Sequence, residues 1–208
     1  MNLFHFWTMV SRENRLLTRA VQYRDREGAA ARVGRMLTAL IVAGLLCSQT
    51  LVTEAGSKVG KLPKASVAQR QLKMTDGSQH SLAALRGKVV VLSFFAVWCG
   101  HSRDQMPALT RLSDSLSSRG LQVIGLAVED DRTTAEKVSN FIAAHKINYP
   151  VGTVSDPVFM EFVESRMVDV PQTLVYGRDG KLAAHFIGQN ARNDAALAEI
   201  VNRELDKK

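Results

Sequence analysis

Cysteine is scarce in this chain. Its 208 residues hold two, Cys47 and Cys99. Two thiols exclude a disulfide framework and are too few for a cysteine-based zinc site. The five histidines, His5, His80, His101, His145 and His185, form no spaced cluster. No metal site and no other cofactor is therefore expected. Internal repeats and low-complexity tracts are also absent, which sets aside solenoids and arrays.

Charge of one sign is missing where it would matter. The formal net charge is +7, but residues 1–50 carry seven Arg against three acids, and Lys58, Lys61 and Lys64 follow. From Ser66 onward there are 17 basic and 16 acidic residues. A domain so nearly neutral lacks the basic face that nucleic acid requires, so no nucleic-acid partner is expected.

A long apolar run is missing too. Leu37 opens Leu-Thr-Ala-Leu-Ile-Val-Ala-Gly-Leu-Leu-Cys, then Ser-Gln-Thr-Leu-Val. Its core is as long as a signal-peptide core and shorter than the roughly 20 residues of a typical spanning helix. Arg32 and Arg35 precede it and Glu54 follows, a polarity that predicts a cytoplasmic N-terminus and an exported domain. Small residues at Thr53 and Ala55 offer a cleavage site; uncleaved, residues 37–52 would associate with the membrane as a short anchor. The division expected is a basic extension over 1–35, a signal peptide or anchor over 36–55, a linker over 56–65 and a folded domain over 66–208. Translation starting at Met9 or Met36, a buried helix and lipidation at Cys47 are the competing readings of this region.

The domain itself is richly patterned. Lys88-Val-Val-Val-Leu-Ser-Phe-Phe-Ala96 is a near-continuous apolar run, as expected of a strand covered on both faces. A helix follows to about Arg119, with Met106, Leu109, Leu112 and Leu116 on one face and Gly120 as its stop. Leu121–Val128 reads as a second strand. Thr133-x-x-Glu136 resembles a capping box, opening a helix with Val138, Phe141 and Ile142 on its apolar face. A short helix near 157–165 precedes strands at Gln172–Tyr176 and Leu182–Ile187, joined by the turn Arg178-Asp179-Gly180-Lys181. A last helix carries Leu197, Ile200, Val201 and Leu205. The order predicts an α/β sandwich with a central mixed sheet flanked by helices.

Trp98-Cys99-Gly100-His101-Ser102 lies where the first strand gives way to the helix. Unpaired N–H groups at a helix start favour the thiolate form of a cysteine, so Cys99 is the expected nucleophile. Together with Gly87–Cys99, Met106-Pro107, Asn148-Tyr149-Pro150-Val151 and Val170-Pro171-Gln172-Thr173 followed by Asp179-Gly180, this motif resembles the TlpA/ResA-like branch of the thioredoxin superfamily. The resemblance covers about residues 66–206. It implies a thioredoxin-like fold, thiol–disulfide chemistry on protein thiols or disulfides, and an extracytoplasmic setting in the cell envelope, periplasmic or anchored facing the periplasm.

The same resemblance implies roles for single residues. His101 would support the Cys99 thiolate or a mixed disulfide. Pro171 would be the cis-proline facing the cysteine, with Val170 and Trp98 bordering the groove where a substrate peptide pairs. Ser102 departs from the family, standing where the second, resolving cysteine belongs. A hydroxyl cannot resolve a disulfide, although it can hydrogen-bond to sulfur. Gln105 departs as well, at a position where relatives commonly carry a Glu that helps deprotonate the second thiol. Asp104 is the nearest carboxylate, at a helical position that points elsewhere. Pro107 should kink the helix, and Glu129-Asp130-Asp131 reads as a solvated loop.

Three functions follow from half a motif. The first is a monothiol oxidoreductase in which Cys99 attacks and an external thiol, from a protein or a low-molecular-weight compound, resolves. The second is a non-catalytic peptide-binding or chaperone-like module. The third is a one-cysteine peroxidase, against which Leu92 and Ala96 occupy the Pro and Thr positions of the peroxidatic pattern.

Overall fold

The computed structural model describes residues 59–165 and 167–207. The described residues all belong to one compact unit. The apolar stretch 37–52, the cleavage site and Cys47 lie outside the described residues. Among the described residues no helix is long and apolar enough to cross a membrane.

In chain order the elements are α1 (Ala65–Ala68), β1 (Leu72–Lys73), β2 (Gln79–His80), β3 (Val89–Phe95), α2 (Gly100–Leu116), β4 (Leu121–Val128), α3 (Ala135–Ala144), β5 (Val151–Val154), α4 (Asp156–Val163), β6 (Gln172–Tyr176), β7 (Leu182–Ile187) and α5 (Ala191–Asp206). The main sheet runs β5-β4-β3-β6-β7, and β1 and β2 form a separate two-stranded sheet. β3 and β4 are parallel, as are β4 and β5. β6 is antiparallel to both β3 and β7. This is the mixed sheet expected from the sequence.

β3 is the centre of the sheet and every residue in it is buried. Alternation sends its side chains into two cores. Val89, Val91 and Phe95 pack with α2, α3 and α5, through residues such as Leu109, Phe141 and Val201. Val90, Leu92 and Phe94 face the other way, onto Phe159 and Phe162 of α4 and onto Val67 and Leu72 near the N-terminal edge. The Phe94 ring centroid lies 5.0 Å from that of Phe159 and 5.5 Å from that of Phe162. Burying side chains of this size contributes about 1.5–3 kcal/mol each, so the two cores fix the strand from both sides.

Local expectations differ from the structure in small, explicable ways. The helix after β3 ends at Leu116, and its last expected turn, Ser117–Arg119, winds more tightly. Gly120 stops it at φ 95°, a left-handed conformation that favours glycine. The cap of α3 is Thr134, whose side chain accepts from the Lys137 N–H; Thr133 instead donates to Asp130 and to the Val128 carbonyl. Part of the stretch expected as linker is tied to the fold, because Gly60 N donates to Leu182 O and Leu182 N donates to Lys61 O. That pairing covers the start of the β7 edge. Pro107 sits inside α2 on its exposed side.

β3 pairs with a parallel strand on one side and an antiparallel one on the other. Its C-terminal end therefore opens onto the end of the sheet where ligand sites of α/β folds gather. The chain turns there into α2, and the loop before β6 arrives from the opposite side.

Candidate active site

Cys99 is the N-cap of α2, with φ −84° and ψ 123°. Its own N–H is taken by Ala96 O at 3.1 Å, and its carbonyl accepts from Arg103 N at 3.2 Å. The side chain is half-buried and makes no capping bond. Instead the thiol donates to the carbonyl of Val170 at 3.4 Å. The Val170–Pro171 peptide bond is cis. Residues 71 positions apart in the chain thus meet at the sulfur.

Gln172 holds the loop that delivers Val170. Its side-chain amide donates to the carbonyls of Met167 and Asp169, at 3.0 and 2.9 Å. Its oxygen is 2.8 Å from Nε2 of the buried His185 on β7. Met167 and Val168 on this loop are exposed apolar residues, as is Trp98 on the other side of the sulfur. An extended peptide lying across Cys99 would meet apolar groups on both flanks.

The two departures from the family motif lie inward. Ser102 is fully buried, and its hydroxyl accepts from the Ala96 N–H at 3.3 Å. The bond to the Cys99 sulfur allowed by the sequence is replaced by this backbone contact. Gln105, one turn further along α2, is also buried. Ser93 donates to its side-chain oxygen and its amide donates to Thr173, both at 3.1 Å. β3, α2 and β6 are stitched together by neutral polar groups at this point. His101 stands exposed on the first turn of α2, and Asp104, just beyond that turn, is exposed too.

Trp98 is anchored by a contact that the sequence reading missed. Its indole N–H donates to Asp130 at 2.7 Å, and Arg132 stacks over the ring at 3.5 Å from its centre. Arg132 also forms an ion pair with Asp130 at 2.8 Å. Desolvation raises the Asp130 pKa, but bonds from Thr133, Arg132 and Trp98 outweigh it and hold the carboxyl at about 2. The pair therefore stays ionised until the pH falls toward that value. Within the acidic run 129–131, Asp130 is accordingly a structural clamp on the motif tryptophan.

A half-buried cysteine at a helix start, faced by a cis-proline loop across a mixed five-stranded sheet, defines a thioredoxin-like protein. The chain belongs to the AhpC/TSA family, whose model matches residues 63–185. The thiol-disulfide oxidoreductase ResA of Bacillus cereus is 24% identical over 117 residues, covering 56% of this chain and 65% of that relative. The chain thus spans just under two thirds of its length. Among solved structures, a thiol:disulfide interchange protein of Chlorobium tepidum superposes with a TM-score of 0.59 at 23% identity, covering 73% of this chain and 99% of that one. A secreted disulfide oxidoreductase of Mycobacterium tuberculosis gives 0.56 at 18% identity, covering 67% and 98%.

Proposed function

We propose that the chain catalyses thiol–disulfide exchange with a single thiol. Cys99 attacks one sulfur of a client disulfide, forming a mixed disulfide and releasing the client's other sulfur as a thiolate. An external thiol then displaces the client and, after a second exchange, restores Cys99. The observation that carries this reading is the Cys99 thiol held 3.4 Å from the Val170 carbonyl, beside backbone that a client strand can pair with. His101, exposed on the first turn, is free to approach the adduct, and Trp98 and Val170 border it. Pro171 fixes the loop that presents Val170.

Trapping tests this directly. Full-length protein mixed with a disulfide-containing unfolded client should yield a Cys99-linked adduct that a reducing agent releases. Cys99→Ala should give none. Equal capture of client by both proteins without any covalent adduct would favour a peptide-binding module instead. A peroxidase reading gains no support from the site, since buried, apolar Leu92 and Ala96 stand where a peroxidatic Pro and Thr belong.

The domain acts outside the cytoplasm, held by or released from the segment 37–52. The charge order around that segment supports this, as does the secreted character of one structural neighbour. An export-dependent reporter fused after residue 60 should be active; a signal only from a cytoplasmic reporter would refute the topology.

A further inference from the structure

Beside the motif turn lies a groove of about 490 Å³, bordered by Trp98, the first turn of α2 and one face of α3. Its charged lining is wholly basic: Arg103, Arg132 and Lys137, with the imidazole of His145 at the far side and no carboxylate. Trp98 and Phe141 supply its apolar surface. Asp130, close to the groove through Trp98 and Arg132, directs its charge to Trp98, Thr133 and Arg132. Lys137 donates to the Arg132 carbonyl at 2.9 Å, which leaves its formal charge unpaired. Arg103 has no ion-pair partner among the described residues. Its Nη2 lies 3.5 Å from where a Cβ on residue 100 would stand, so this cation sits beside the residue next to Cys99. Arg132 is neutralised by Asp130, so Arg103 and Lys137 are the two groove cations left to meet an anion.

We propose that this groove receives the carboxylates of a small acidic thiol, and that this compound is the external thiol that turns the site over. The proposal rests on the monothiol reading of Cys99. Two or three extended residues span roughly 7–10 Å, so a ligand of that size could place carboxylates against Arg103 while its sulfur reaches Cys99, the residue next to Gly100; the groove is within the range of small-molecule sites. In the resolving step the acidic thiolate attacks the Cys99 sulfur of the mixed disulfide. A Cys99–S–S–R bond forms, and the client leaves with its second thiolate. A second acidic thiolate attacks the ligand sulfur, releasing R–S–S–R and the Cys99 thiolate. Two thiols are oxidised for each client disulfide reduced, so electrons balance, and the protons lost by the two thiols pass to the client thiolates. Arg103 and Lys137 bind the carboxylates and align the ligand sulfur; neither takes part in the exchange.

The experiment runs the last step of this chemistry in reverse, using full-length protein with Cys99 reduced. The rate of adduct formation, located to Cys99 by peptide mass, is measured with oxidised glutathione, which is anionic, and with the neutral disulfide of 2-mercaptoethanol. Each rate is divided by that of an unstructured cysteine peptide. We expect the anionic disulfide to be favoured by about tenfold, as electrostatic guidance into a basic cleft allows. Arg103→Gln with Lys137→Gln should bring the ratio close to one, and Arg103→Lys alone should keep most of it. A ratio near one in the unmodified protein, or one that survives the double substitution, overturns the groove while leaving the monothiol reading in place. Failure of both disulfides to modify Cys99 overturns that reading and the groove with it.

Discussion

Replacing Ser102 with cysteine should raise the turnover of insulin-disulfide reduction by roughly 100-fold at millimolar external thiol, because the resolving attack becomes intramolecular. The geometry is favourable without rearrangement. Cys99 is the N-cap and Ser102 the third helical residue, the pair of positions whose groups meet in ordinary N-terminal capping. The new thiol would occupy a fully buried site, where it is shielded from other oxidants and meets mainly the adduct on Cys99. Its cost is modest: the Ala96 N–H would exchange a hydroxyl acceptor at 3.3 Å for a weaker sulfur, about 1 kcal/mol. Reduction should disappear again when Cys99→Ala is added. A Ser102→Cys protein no faster than the unmodified one would remove the monothiol mechanism altogether, since a supplied second thiol can only go unused if the first does not attack.

Much of this site is written openly in the chain, and the reasons are local. β3 announces itself as seven consecutive residues with a single polar member, because both of its faces are covered. Cys99 and Pro171 stand within motifs whose spacing carries them to the same end of the sheet. The clamp on Trp98 is different. Asp130 lies 32 positions away, in a run of acids that composition alone assigns to solvent. Only the turn after β4, which brings that run beside the motif, gives it a role. Two adjacent threonines explain the displaced cap of α3: either hydroxyl can serve a helix start, and Thr133 is drawn away by Asp130 and the Val128 carbonyl. β1 and β2 are two residues each, too short for any periodicity to register. The partners of Gln105 were in view as isolated polar residues, Ser93 and Thr173, within apolar strands. Their meaning required the register that sets Ser93 opposite Thr173.

That buried trio leads to the second large effect. Gln105→Glu should leave stability nearly unchanged at pH 4 and lower it by several kcal/mol at pH 8. A protonated carboxyl reproduces the amide, accepting from Ser93 and donating to Thr173 at the positions now bonded at 3.1 Å. Ionisation removes the donor and places a charge in a site where Gln105 is 2% exposed, and burial of that kind raises a carboxyl pKa by up to about 3–5 units. The sign follows from proton linkage. With the folded pKa above the unfolded value of about 4.3, the folded state holds its proton longer, so stability is whole below that value and is lost as pH rises toward the folded pKa. Each unit of separation removes about 1.4 kcal/mol, so a shift of two units costs about 2.7 kcal/mol by pH 8. Urea unfolding at the two pH values, with the unmodified protein as reference, measures it; an equal loss at both would mean that packing and not ionisation is responsible. In the Ser102→Cys background the same carboxylate would stand one turn from a buried thiol and could take its proton. A neutral Gln105 suits a site with no such thiol to deprotonate, which is why the two departures belong together: Ser102 and Gln105 keep the buried side of Cys99 uncharged while its sulfur faces the Val170 carbonyl.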